Sequence, residues 1–211
     1  MSAVVQTVRN AFQTDTGVDR VQLNPQFRYL RVTIEGRAAL LVLGYVDKDD
    51  HGPIEVYYSA QRETLRIQNG RIAGAVGVTT EWRNVRLPEL PSWPEIASGD
   101  RPLEWVRVRD VMPGYRYGLR DQLVLRPISA PEKSELRGID PGGLAWFEEK
   151  MQTEPAAAHV ATLIPDPPQG TLSAARYAVK LEKDSATVVY GEQCLAANLC
   201  FTWQRWNPQK P

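Results

Sequence analysis

Apolar residues change their spacing along this chain near residue 27. Before it, Val4, Val8 and Phe12 recur within Ala3–Phe12 while Arg9 and Asn10 fall elsewhere, a helical period that predicts an amphipathic N-terminal helix over residues 3–12. From Phe27 onward the period is two. Leu30, Val32 and Ile34 alternate with Arg31 and Thr33, and Ala38–Val46 is a continuous apolar run. The first pattern predicts a half-exposed strand and the second a strand buried on both faces. A polar loop at Asp47–Pro53 leads into Ile54–Tyr58. Leu65 and Ile67 then precede Asn69-Gly70, with Ile72 following, which predicts a two-residue hairpin with both turn residues at positive φ. Strand signals resume at Leu103–Arg109 and Arg116–Leu125 and close in a meander of Tyr177–Leu181, Thr187–Tyr190 and Phe201–Trp206.

Proline and glycine punctuate these runs. Pro88, Pro91, Pro94 and Pro102 interrupt any ladder over residues 87–102, so this connection is expected to cross the surface without regular structure. Asp140-Pro141-Gly142 bounds a helical patch at Gly143–Met151, and Ala156–Gly170 is a second loose stretch with Pro165, Pro167 and Pro168. Composition does not change across the proline-rich connection. The expectation is therefore one domain over residues 1–211, with a β body at 27–206. Its class is all-β: antiparallel sheets forming a sandwich or pseudo-barrel, with an N-terminal helix and one short internal helix. A chain of 211 residues buries about 70% of its unfolded surface and needs no metal to make a core.

Charge narrows the partners. The 25 Lys plus Arg and 25 Asp plus Glu cancel, so no summed field steers the protein onto nucleic acid or an anionic membrane. No stretch reaches the 18 or so apolar residues of a spanning helix, and no basic region followed by an apolar run opens the chain. Of the cations 19 are Arg and six are Lys. Arginine forks pair with carboxylates and stack on rings, which suits acidic partners such as uronic acid polymers; base composition of the genome is the plainer reading. Cys194 and Cys200, separated by five residues, are the only cysteines. They are expected to bridge across a turn at Ala197-Asn198, in an oxidising compartment, two free buried thiols being the alternative.

Candidate chemistry is sparse. Nucleophilic catalysis needs a base, usually histidine, and the chain has only His51 and His159. His51 follows Asp47, Asp49 and Asp50, where a base or a hard-cation ligand is conceivable but an ordinary solvated turn accounts for the residues. No metal site and no cofactor is expected. Glu55, Glu63, Glu104 and Asp110 lie on or beside predicted strands, and a facing pair of such carboxylates is what glycoside hydrolysis requires. Glycines at 70, 74 and 77 have the wrong spacing for a phosphate loop. Trp82, Trp105 and Trp203 read as core, and Trp93 as core or as a stacking platform. The segment Arg107, Arg109, Tyr115, Arg116 and Tyr117 interleaves cations with rings, the chemistry of a polysaccharide contact; the plainer reading buries the tyrosines and solvates the arginines.

Three runs carry a wider likeness: RAALLVLGYVD (Arg37 to Asp47), VYYSAQRETLRIQNGRIAGAVGV (Val56 to Val78) and VRVRDVMPGYRYG (Val106 to Gly118). Together they resemble the YjbF/GfcB family of group 4 capsule polysaccharide lipoproteins, with Asn69, Gly70 and Arg71 at that family's hairpin turn. The resemblance implies an all-β lipoprotein on the periplasmic side of the outer membrane, working with polysaccharide secretion machinery in exopolysaccharide or capsule export. It brings no catalytic residues, so no enzyme activity is expected. Membrane contact is expected only through an N-terminal lipid, with Met1 standing where a lipidated cysteine belongs. The competing readings are a carboxylate-dependent, polysaccharide-acting envelope enzyme and a pure protein-interaction module.

Overall fold

The computed structural model describes residues 13–152, 171–183 and 185–206. The helix expected over residues 3–12, the stretch 156–170 and His159 lie outside the described residues. The elements are β1 (Gln13–Thr14), α1 (Asp15–Val18), β2 (Tyr29–Ile34), β3 (Arg37–Asp47), β4 (Ile54–Tyr58), β5 (Thr64–Gln68), β6 (Arg71–Val76), β7 (Glu81–Arg86), α2 (Trp93–Ser98), β8 (Leu103–Met112), β9 (Arg116–Ile128), β10 (Ala145–Met151), β11 (Ala175–Glu182), β12 (Ser185–Ala196) and β13 (Leu199–Trp206). Each strand from β2 to β13 pairs antiparallel with the next, and β13 returns to β2. The result is a closed ring of twelve strands, an all-β pseudo-barrel without free edges. β1 adds to the start of β3, where Gln13 faces Ala38.

Period two places alternate residues inside. Leu30 and Val32, Ala39 and Leu41, Leu65 and Ile67, Tyr177 and Val179, and Phe201 and Trp203 enter one core that draws on every strand from β2 to β13. Smaller clusters lie apart from it, and two of them cover the outside around β2, β3 and β10–β12. Val18, Ala38 and Leu40 pack with Val21, Leu23 and Trp206, and Trp146, Ala178 and Tyr190 pack with Leu136 and Leu144. This outer cover reverses the sequence expectation for β2 and β3. Arg31 and Thr33 of β2 are buried, because Arg31 pairs with Asp19 at 2.8 Å and lies over Trp206. The far half of β3, at Gly44–Val46, is exposed.

The helix expected at residues 143–151 is instead strand β10, preceded by a single 3-10 turn at Pro141–Gly143. Phe147 and Glu149 point inward and Trp146 enters the outer cluster, so both faces bury large side chains and the apolar spacing imitates a helix. The proline-rich connection is also more ordered than expected. It holds α2, whose start is fixed by the Ser92 amide donating to Glu95 at 2.7 Å, with Pro94 in the first turn, where a missing N–H costs little. Trp93 and Ile96 of α2 are buried in the main core.

The β5–β6 hairpin has Asn69 at φ 48 and Gly70 at φ 78, the geometry expected of Asn-Gly. Cys194 and Cys200 are register partners across β12–β13 and are disulfide-bonded, with Ala197-Asn198 as the turn; closing so short a loop stabilises by about 2 kcal/mol on chain-entropy grounds. Gly70 is pressed against β12: a Cβ there would stand 2.2 Å from Val188 Cγ2. Gly70→Ala is therefore expected to destabilise the fold by at least the ~1–3 kcal/mol of a strained left-handed residue, read as a lower urea midpoint at unchanged slope.

Candidate functional site

The interior contains charge. On β8 the inward positions are Trp105, Arg107, Arg109 and Val111, and the register sets Arg107 opposite Asp121 of β9. Asp121 accepts from Arg107 Nε at 2.9 Å and from Arg109 Nε and Nη2 at 2.6 and 2.9 Å. Both guanidiniums lie over the Trp82 ring, 4.3 and 4.6 Å from its centroid, and the Trp82 indole donates to the Leu195 carbonyl. Glu149 of β10 takes Arg71 of β6 at 3.3 Å and Arg107 at 3.9 Å. Tyr177 of β11 donates to Glu149 at 3.2 Å. Burial, with the Glu149 charge beside it, pushes the Tyr177 hydroxyl well above the usual phenol range, so it stays a donor. Three guanidiniums thus share two carboxylates. Arg71 Nη2, Trp105 Nε1 and Gln193 Nε2 are buried donors without an acceptor among the described residues.

The segment expected to contact polysaccharide is split by this arrangement. Arg107 and Arg109 do share a strand face, but it is the inner one, where they are 3% and 4% exposed. Tyr115 and Tyr117 are 74% and 63% exposed around the β8–β9 hairpin, and Arg116 is half-buried. The five side chains do not share one surface: Arg107 and Arg109 lie inside and Tyr115 and Tyr117 outside, the reverse of the plainer alternative for these four. Asp121 and Trp82 make the difference, since a counter-charge and an aromatic face are what allow arginine to be buried. Asp121 and Glu149 had no role in the sequence reading, and Arg71 figured there only as a turn residue. The Arg71 position had a signal in its place directly after the Asn-Gly turn, whereas Glu149 was hidden inside the presumed helix.

The other candidates have structural partners. Glu55 pairs with Arg205 at 2.6 Å and Arg28 at 3.2 Å. Glu63 is bound by the Ser59 hydroxyl, and Glu104 is exposed. Asp110 accepts from Asn84 at 2.7 Å and from the Gly118 amide at 2.8 Å, and these hydrogen bonds hold its carboxyl below the usual range. The His51 amide donates to Asp49 in an exposed turn. Among the described residues no three His, Cys, Asp or Glu side chains converge as a metal site. Trp82, Trp105 and Trp203 are buried.

Trp93 closes one mouth of the ring. Its ring packs on Phe147 and Tyr177 at 4.9 and 5.5 Å, Arg71 lies 4.4 Å from its centroid, and its indole donates to the Asn69 carbonyl at 3.2 Å. Two cavities adjoin it. One, about 460 Å³, is lined by Arg71, Asn69, Trp93, Ser92 and Ser185; the other, about 380 Å³, by Arg28, Glu55, Arg205, Asn69, Trp93 and Thr187. They share Asn69, Trp93 and Ala186. A separate apolar pit of about 70 Å³ lies among Val32, Ile34, Leu41, Leu65, Val78 and Phe201.

No protein-family profile matches the chain, and no curated protein matches it in sequence. A solved structure does match in fold: the hypothetical lipoprotein YmcC from Escherichia coli (K12), at TM-score 0.59 and 13% identity, with 100% of this chain and 99% of that chain covered. The two chains share an architecture from end to end.

The buried cluster yields a stability prediction. Asp121→Ala removes the carboxylate between two buried guanidiniums, leaving Arg109 without its counter-charge and Arg107 with only Glu149 at 3.9 Å, and breaking such a buried pair costs about 3–5 kcal/mol. Urea unfolding is expected to show a loss of that size, while Glu104→Ala, at an exposed position, should stay within about 0.5 kcal/mol of the parent.

Proposed function

We propose that the chain is an accessory, non-catalytic lipoprotein of the bacterial envelope that supports exopolysaccharide or capsule production and export from the periplasmic side of the outer membrane. The observation that carries this reading is the end-to-end fold likeness to a lipoprotein, which agrees with the resemblance of the three sequence runs to the group 4 capsule lipoproteins. The chemistry inside the ring favours binding or scaffolding over hydrolysis. Asp121 and Glu149 are engaged by buried arginines, whereas a glycosidase pair faces substrate across an open cleft. The bonded cysteines fit an oxidising compartment. On this reading the β8–β9 hairpin is the contact with secretion machinery proteins, supported by the large rings that Tyr115 and Tyr117 present to solvent.

Deleting the gene from its native host should lower the amount or shorten the length of exported polymer, measured by size-exclusion chromatography of cell-surface carbohydrate. The parent gene should restore it, and Tyr115→Ser with Tyr117→Ser should restore it only partly. Polymer of unchanged amount and length in the deletion strain would refute the reading.

A further inference from the structure

We propose that the two cavities flanking Trp93 form one groove that binds a carboxylate-bearing oligosaccharide, with Arg71 receiving acid groups at one end and Arg28 with Arg205 at the other. This deepens the polysaccharide reading, and its biological meaning rests on it.

Charge is the first argument. At one end Arg71, Arg107 and Arg109 face Asp121 and Glu149, leaving one guanidinium charge uncompensated within the cluster. At the other, Arg28 and Arg205 share Glu55, again leaving one. Arg71 is 2% exposed, lines the larger cavity, and has Nη2 without an acceptor among the described residues. A buried cationic donor left unpaired is costly, and an incoming carboxylate removes that cost with a charge-assisted hydrogen bond. The Arg28 side chain is 58% exposed and opens onto the smaller cavity.

The walls argue for a sugar. Trp93 and Pro94 supply apolar surface, while the Asn69 amide and the hydroxyls of Ser92, Ser185 and Thr187 supply neutral hydrogen-bonding groups. A pyranose has the matching character, with apolar faces and a rim of hydroxyls. Each cavity falls within the roughly 300–1,000 Å³ of small-molecule sites. Because Trp93 stacks on Arg71, 4.4 Å from its ring centroid, an acid group reaching Nη2 changes the surroundings of the indole, and tryptophan emission reports the event.

The test is calorimetric and fluorescence titration of the purified chain with hexagalacturonate, with maltohexaose as the neutral hexasaccharide and hexaglutamate as the acidic non-sugar. Hexagalacturonate is expected to bind and to change tryptophan emission, with both other probes at least about tenfold weaker. Arg71→Lys, which keeps the charge and removes the fork, and Arg28→Gln, at a position exposed enough to leave folding intact, should each weaken hexagalacturonate about five- to tenfold. Absence of hexagalacturonate binding, equal binding of maltohexaose or hexaglutamate, or undiminished binding by Arg28→Gln would overturn the proposal. A deletion strain with altered polymer beside a null titration would sink the groove and leave the secretion role standing. The converse result would separate them the other way.

Discussion

Twelve strands closed into a ring enclose more room than aliphatic side chains fill, and this constraint governs the rest of the molecule. Eight strands already make an interior just wide enough for side chains to occupy, and the diameter grows with strand number. The chain meets the excess with its longest residues. Trp82, Trp203, Tyr57, Tyr177 and Phe147 are all but fully buried, and Arg107 and Arg109 extend their stems across the same space with heads stacked on Trp82. Arginine fills volume in this way only where its charge is answered. Asp121, between the two heads, is thus as much a packing residue as an electrostatic one. At one mouth α2 completes the filling from outside the ring by inserting Trp93 and Ile96.

The same geometry builds the groove. Gly70 lets the β5–β6 turn lie directly against Val188 of β12, which brings Asn69 and Arg71 alongside Ser185, Ala186 and Thr187. Trp93 then stands between the turn and the inner cluster, held by Asn69 on one side and by Arg71 and Phe147 on the other. A side chain that seals the core therefore also forms the shared wall of two polar cavities. Stability and binding surface meet at one residue, so the capping sequence Ser92-Trp-Pro-Glu95 that positions it belongs to the site as well as to the fold.

What could be read in the sequence divides along physical lines. Local backbone chemistry was legible: Asn69-Gly70 specified its hairpin because few residue pairs accept two positive φ values, and Ala197-Asn198 fell at the turn between the cysteines. The all-β class followed from period two. The assignment of faces was not legible, because alternation states which residues share a face without stating which face is inside. Arg107 and Arg109 were placed together correctly and on the wrong side, since Asp121 and Trp82, which make burial possible, come from other strands. Arg31 went the same way through Asp19. In β10 both faces bury aromatics, which erased the alternation that distinguishes strand from helix. Ser92 and Glu95 did carry a capping signature for α2, and the surrounding prolines masked it.

The formal net charge of zero conceals a segregation that matters for binding. Long-range steering depends on the summed field, so a neutral chain does not gather a charged polymer from a distance, and salt beyond a Debye length has little left to screen. The excess positive charge of the inner cluster, with the unpartnered Nη2 of Arg71 at its edge, sits instead in a buried setting, where the effective dielectric is low and a paired charge interacts strongly at contact. Selectivity then depends on fit: an acid group must reach Nη2 past Trp93, and a group that cannot do so gains nothing from the charge. A site of this kind discriminates by geometry at short range, without a long-range pull on anions in general.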